Sequence, residues 1–437
     1  MTCEPAPPPA ASPLQTLTVG PAGADVCGSG GRALQIAIDA VAWRGGGIVL
    51  VQPGDYLLDG PVRLRSGVTL RGVPGETVLR RAPAVWSRLA VDADIGQRQI
   101  TPEDAAPFRP GMGVVLRDDE QFFPLSSMPL TVTRVHGGTL FTDGYNTRDF
   151  LAERGGLVAT YYPMIHAFEQ EDIAVEGLVL DSSLDAAGPL EGIWGRGLYF
   201  RRCHRAAVRN VVSANCLGDG FGCGQGSHVS FESCESHHNT HYGIHPGSHS
   251  PHTRIAGCRV HDNGSDGVYL CWGVRHSEVV DCEVYGNGGR LYRNGICTGH
   301  KDTDNLIARN RVYGNAKHGI HVRQKTAANG AHRTTVRDNV VEDNGWPFER
   351  VPESLKHLPR RELTGHGVYV CGVTRDLVLE GNTIRETRTG DERHQRCGVY
   401  LAPGVSGARL GGNTIDGHPD DAIVDDSGDA TNQVQEA

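Results

Sequence analysis

The sequence predicts an all-β solenoid of short stacked strands, and three observations carry that prediction. A phrase of glycine, branched apolar residue, variable residue and usually another apolar residue recurs as Gly243-Ile244-His245-Pro246, Gly267-Val268-Tyr269-Leu270 and Gly295-Ile296-Cys297-Thr298. It returns as Gly319-Ile320-His321-Val322, Gly367-Val368-Tyr369-Val370 and Gly398-Val399-Tyr400-Leu401. The first four copies lie 24 to 28 residues apart, a period at which a single coil cannot bury its apolar face alone. Within each copy, apolar and variable positions alternate as in a strand with one buried face. Helical spacing is scarce and Gly 58 far exceeds average usage, which suits a turn-rich chain. Together these give a right-handed parallel β-helix of roughly ten coils with an N-terminal capping helix.

The elements follow in order. Residues 1–20 read as a disordered lead, rich in Pro and Ala at its start. Residues 32–43 carry Leu34, Ile36, Ile38 and Val41 at helical spacing, a short amphipathic helix suited to cover the open end of the solenoid. Gly47-Ile48-Val49-Leu50-Val51 and Val68-Thr69-Leu70-Arg71-Gly72 form the first coils. Residues 82–165 break the period and hold Phe122, Phe123, Tyr145, Phe150, Tyr161 and Tyr162; they read as an irregular insertion beside the solenoid, one wall of a groove. Regular coils restart near Ile173, a loop insertion spans 346–363, and 426–437 reads as a frayed tail. The whole of 21–425 is one β-helix domain.

Net charge −9 and pI about 6.1 argue against nucleic acid as the main partner. No run of 18 apolar residues spans a bilayer, so no membrane partner is expected. The start of the chain lacks the basic and apolar stretches of a signal peptide, which favours the cytoplasm over export with a trimmed signal. Nothing in the sequence fixes the oligomeric state.

Cys234, Cys258 and Cys282 are spaced by 24 residues, and Asn310, Asn339, Asn382 and Asn413 take the equivalent place in later coils. An asparagine column at a coil corner is a hydrogen-bonded ladder, and a small thiol fits the same inward slot. Free structural thiols are therefore expected, with disulfides between stacked coils as the alternative. No Cys-x-x-Cys pair points to zinc.

Alignment on the phrase glycines yields outward columns. One residue before the glycine stand Asp219, Tyr242, Asp266, Asn294, His318 and His366. Two after it stand Gly222, His245, Tyr269, Cys297, His321, Tyr369 and Tyr400; four after it, Gly224, Gly247, Cys271, Gly299, Arg323 and Cys371. Positions i and i+2 share a face, and neighbouring coils stack about 4.8 Å apart. Asp219, Tyr242, His245, Asp266, Tyr269, His318, His321 and Arg323 should then share one patch, with Gly and Cys leaving room for a ligand. A merely solvated sheet would carry Lys, Glu, Ser and Thr there. His237, His238, His241, His249 and His252 fall around the same coil, but their spacing is not diagnostic of a metal. No cofactor is expected, calcium being the one ion kept as an alternative.

The order of helix, "GGGIVLVQPGDYLL" and "SGVTLRGVPGETVL" resembles the opening of pectate-lyase-like β-helix proteins. Residues 242–324 resemble the mannuronan C5-epimerase family in "YGIHPGSHS", "HDNGSDGVYL" and "ARNRVYGNAKHGIHVRQ". The family's catalytic strand reads Tyr-Gly-Phe-Asp-Pro-His. Here Tyr242 and Pro246 match, His245 replaces the Asp, and Gly247 stands where the family has His, with His249 two residues further on.

Three readings follow. The leading one is a carbohydrate-active enzyme that abstracts the C5 proton of a uronic-acid sugar, as a polysaccharide lyase or C5-epimerase. His245 serves as base, Tyr242 donates or relays the proton, and Arg323, Lys301 or Lys325 meets the carboxylate. Tyr269, His321, His300 and His249 complete the substrate-binding set. The second is glycoside hydrolysis or intramolecular fructosyl transfer by Asp219 and Asp266, two coils apart and so about 9.6 Å between backbones. That is near the upper edge of the roughly 6.5–9.5 Å expected of an inverting pair. The third is a cofactor-free isomerase or cyclase, or a non-catalytic sugar-binding solenoid with Tyr269, Tyr369 and Tyr400 stacking on sugar rings.

Overall fold

Each coil supplies one short strand to each of three parallel sheets, so side chains of like position stack along the axis. The computed structural model describes residues 15–120, 128–183, 188–190 and 192–435. Among these, sheet I has 14 strands, and sheets II and III have 11 each. One coil runs from Ser227–Glu232 in sheet I through Glu235–His237 in sheet II to Ile244–Gly247 in sheet III. The next coil repeats this with Arg254–Ala256, Arg259–His261 and Val268–Tyr269, each paired parallel and in register with its predecessor. The inward residues form one continuous apolar core from Val19 to Ile415. The fold is thus a parallel β-helix.

The phrase glycines exist because inward side chains of the next coil's sheet II strand crowd them. A Cβ on Gly243 would lie 2.3 Å from Val260 Cγ1, and one on Gly367 would lie 2.3 Å from Ile384 Cγ2. Any side chain there would force neighbouring coils apart.

Helix Gly31–Trp43 caps the solenoid and buries Ala33, Leu34, Ala37, Ile38 and Val41. Ile36, read from the sequence as part of the apolar stripe, instead points outward and is half exposed, because Ala33 and Ala37 occupy the inner face. Order also begins earlier than expected. Gln15–Gly20 is a strand paired with Gly47–Val51, so the lead does not extend to residue 20. At the other end, Gln433–Val434 pairs with Arg409–Gly411, which places a strand inside the segment read as frayed.

The insertion is regular rather than irregular. Among the described residues, six antiparallel strands, from Trp86–Arg88 to Leu157–Thr160, enclose an apolar cluster that includes Phe108, Met112, Leu116 and Phe150. Phe122 and Phe123 lie outside the described residues. The insertion meets the solenoid on the outer face of sheet III, where Val115, Ala159 and Tyr161 pack with Leu190, Trp194, Tyr199 and Leu217. The second insertion contains three short helical segments, Phe348–Arg350, Glu353–Leu355 and Arg360–Leu363. It packs Val351 and Leu363 against Tyr292 and Ala316.

The corner ladders fill with the residues the spacing indicated. Cys234, Cys258 and Cys282 are buried, and all eleven described cysteines are free, so no disulfide joins the coils among them. The Cys282 backbone N–H donates to Asn310 Oδ1 at 2.9 Å, and Asn310, Asn339 and Asn382 each donate from Nδ2 to the next asparagine at 2.9 Å. A second ladder, not read from the sequence, runs through Asn239, Asn263, Asn287, Asn315, Asn344 and Gln395. Both ladders satisfy corner backbone groups that would otherwise be buried without partners.

Candidate active site on the outer face of sheet III

The outward columns of sheet III coincide with the strand register. Gly222 pairs with His245, Tyr269 with Cys297, Cys297 with His321, and His321 with Tyr369. One coil before Asp219, the same column begins with Arg196. Arg196 is 4% exposed, and Asp219 has no solvent exposure. Arg196 Nε donates to Asp219 Oδ2 at 2.7 Å, and a terminal guanidinium nitrogen also lies 2.7 Å from it. The guanidinium lies over the Tyr199 ring, 4.2 Å from its centroid. Gly222 makes room for it, since a Cβ there would come within 3.2 Å of Arg196 Cζ.

Asp219 passes the chain of contacts to His245, whose Nδ1 lies 2.9 Å from Oδ2. Burial alone would raise the Asp219 pKa, but the Arg196 guanidinium and the His245 ring hold it well below the usual carboxylate range. Asp219 is therefore ionised, and its fixed negative charge favours a proton on Nδ1. That tautomer leaves Nε2 as the acceptor. Gly247 keeps the Nε2 side open, because a Cβ on it would lie 3.4 Å from that nitrogen.

Tyr242 and Tyr269 flank the imidazole. The Tyr242 ring is 4.6 Å from His245 and 4.8 Å from Tyr269, and His245 is 5.2 Å from Tyr269. Burial, with Asp266 and Asp219 nearby, pushes the Tyr242 phenol above its ordinary range, so it stays protonated and able to donate. The Arg323 guanidinium contacts the Tyr269 hydroxyl and lies 5.2 Å from its ring centroid. Tyr242, His245 and Arg323 are only partly buried, so these three can be reached from solvent.

The two carboxyls proposed as a hydrolytic pair are engaged elsewhere. Asp219 is held as described, and Asp266 is 3% exposed and accepts from Asn294 Nδ2 at 2.7 Å. Burial raises the pKa of Asp266 despite Arg293 nearby. His318 lies on the same sheet face but has no solvent exposure, packed against Tyr369 at 4.6 Å and His366 at 5.2 Å. It therefore stands apart from the accessible patch in which the sequence placed it. His321 bridges the two regions, with Asn294 Nδ2 3.3 Å from its Nδ1 and Cys371 Sγ 3.7 Å from its Nε2.

His300, Lys301, Lys325 and His249 sit beyond the C-terminal ends of the sheet III strands, where the chain turns toward sheet I. His249 and Lys301 are exposed, and His300 and Lys325 are half-buried. The other histidines noted in this coil disperse. His237 stacks on His261 at 5.0 Å on sheet II, and His252 stacks on His228 at 4.8 Å at an exposed corner. Among the described residues, no group of three or more His, Cys, Asp or Glu is arranged to hold a metal ion.

Beside the opposite ends of these strands, the insertion leaves a cleft of about 550 Å³. Arg117, Asp118, Leu157, Leu190, Leu217 and Thr240 line it. Leu217 and Thr240 precede Asp219 and Tyr242 by two residues, so this cleft adjoins the Tyr242–His245 patch. Arg196 and Tyr199 were missed in the sequence because the column was read from Asp219 onward. The phrase Gly197-Leu198-Tyr199-Phe200 has the same form and carries the signal that places both.

Residues 196–436 match the family model described as "Right handed beta helix region". No curated protein matches the chain. Among solved structures, the A-module of mannuronan C-5 epimerase AlgE4 from Azotobacter vinelandii is similar, with TM-score 0.58, 15% identity and 93% of each chain covered. The AlgE6 A-module from the same organism gives 0.54 at 15% identity, covering 93% of this chain and 95% of that one. The catalytic domain of a GH87 α-1,3-glucanase in complex with tetrasaccharides gives 0.55 at 10% identity, covering 98% of this chain and 71% of that one. At these identities the likeness is one of fold.

Proposed function

The chain belongs to the right-handed β-helix family, and from that premise we propose that it is a carbohydrate-active enzyme that abstracts the C5 proton of a uronic-acid residue, as a lyase or a C5-epimerase. The observation that carries this reading is the series Arg196–Asp219–His245, which ends in a partly exposed imidazole on the outer face of sheet III. His245 is the base and Tyr242 the acid; Arg196 and Asp219 are positioning residues. The similar folds of a mannuronan C-5 epimerase and an α-1,3-glucanase agree with a polysaccharide as substrate.

In the proposed reaction, His245 Nε2 takes the C5 proton and the electron pair moves into the adjoining carboxylate. The Arg323 guanidinium meets the charge that develops on those oxygens. In an epimerase, Tyr242 returns a proton to the opposite face of C5. In a lyase, the electron pair expels the oxygen at C4, and Tyr242 protonates that leaving group. Asp219 keeps Nδ1 protonated and steadies the imidazolium, while Arg196 keeps Asp219 ionised.

Incubation with a panel of uronate polymers and neutral glycans tests the proposal. Unsaturated products absorbing in the ultraviolet, or altered proton spectra without chain cleavage, are expected from uronates alone. Reducing ends released from neutral glycans, with uronates untouched, would replace this reading with hydrolysis.

A further inference from the structure

Beyond the C-terminal end of the sheet III strand Val268–Tyr269 one large apolar ring is partly exposed to solvent. Trp272 is 43% exposed and follows directly on Cys271, which pairs with Gly247 in an isolated parallel bridge just beyond that strand. Its backbone is left-handed, with φ 67°, a conformation unfavourable for a bulky side chain. The turn is held from below by a carboxylate with no solvent exposure. Asp302 Oδ1 accepts from the Gly273 and Val274 backbone N–H groups at 2.8 and 2.9 Å, and its Oδ2 accepts from Gly299 N–H at 2.9 Å. The ring is thus displayed on a turn that hydrogen bonds to Asp302 hold in place.

Its neighbours are a neutral ring and, beside that ring, two lysines. The His300 ring meets the indole edge to face, with centroids 4.9 Å apart. Lys325 is half-buried and lies two residues beyond Arg323 on the same strand exit, and Lys301 follows His300. Burial, with Lys325 and Lys301 nearby, lowers the His300 pKa, so His300 is a neutral ring contact. The positive charge gathered here, in a chain of net charge −9, is that of Arg323, Lys325 and Lys301. An apolar plate beside positive charge fits the flat face of a sugar ring that bears a carboxylate.

We propose that Trp272, with Lys325 and His300 beside it, forms a sugar-binding subsite that takes an anionic residue next to the one that reacts. Its anionic preference rests on the uronate reading; its role as a sugar platform does not. Binding calorimetry in a His245→Ala background separates the two, using tetrasaccharides of mannuronate, galacturonate and glucose as probes. Trp272→Asn is the test substitution, because asparagine adopts the left-handed backbone readily and the turn is retained. Uronate affinity should fall about tenfold or more in Trp272→Asn and recover in Trp272→Tyr. Lys325→Met should weaken uronate binding and leave any glucose-tetramer binding unchanged. Equal affinities with and without Trp272, or binding of none of the three probes, overturn the subsite. Binding of the glucose tetramer alone, lost in Trp272→Asn, keeps the platform and overturns the anionic assignment together with the uronate reading.

Discussion

His245 Nδ1 lies 2.9 Å from Oδ2 of Asp219, a carboxylate with no solvent exposure that is also held by Arg196. A buried anion next to one ring nitrogen fixes the tautomer and turns the other nitrogen into the base. His245→Ala should therefore lower kcat by about 10²–10⁴, the usual contribution of one general base. The melting temperature should stay near that of the wild type, since His245 lies on the outer face of sheet III rather than in the core. Steady-state kinetics with thermal unfolding checks both; a large loss of stability would mark the residue as structural.

Arg196 is predicted to matter for folding as well as for positioning. Arg196→Met strands a buried carboxylate and should destabilise the protein by about 3–5 kcal/mol. Adding Asp219→Leu removes the orphaned charge and should recover most of that loss without restoring activity. Urea unfolding of the two variants measures the difference.

The corner ladder predicts that a thiol and an amide can exchange places. Asn339 Nδ2 donates to the Ile307 carbonyl and to Asn382 Oδ1, both at 2.9 Å, and its Oδ1 accepts from the Asn310 backbone N–H at 2.9 Å. Asn339→Ala leaves these groups unpaired and should cost about 1–3 kcal/mol. Cys258→Asn, two coils from the start of the asparagines, should be tolerated better. Thermal melts of both rank them directly.

Acid should destabilise the fold through its buried imidazoles. Burial depresses the pKa of His366 to about 4, against the hydrogen bond it makes with the Arg361 carbonyl, and depresses His418 to about 4. A depressed folded pKa means that the unfolded chain binds protons first, below about 6.5. The contribution of these residues is therefore fully present above that pH and is lost as pH falls toward 4. Melting temperature followed between pH 7 and pH 4 should fall, and His366→Phe should fall less steeply. Parallel slopes would contradict this assignment.

The sequence made the columns legible because parallel coils of constant form leave little freedom of register. The glycines that open each phrase are fixed by contact with the next coil, so counting from them placed Asp219, Tyr242, His245 and Arg323 on one face correctly. Periodicity assigns a face, however, and not what covers it. His318 shares the column of Tyr242 and Tyr269 that of His245, yet both are buried by neighbours from other coils. Nor could spacing reveal that Asp219 spends its charge on Arg196, since that pairing depends on side-chain direction and on the space left by Gly222. The insertion escaped for a different reason: antiparallel strands of uneven length carry no fixed repeat, and only their alternation marks them.

The most direct measurement is solvent exchange at C5 of a uronate oligosaccharide in deuterium oxide, followed by proton spectroscopy. If His245 abstracts that proton, the wild type incorporates deuterium at C5 or yields the unsaturated product, and His245→Ala does neither. If no C5 exchange or elimination occurs with wild-type enzyme, while glycosidic bonds are hydrolysed in a manner abolished by Asp219→Asn and Asp266→Asn but not by His245→Ala, proton abstraction by His245 is contradicted.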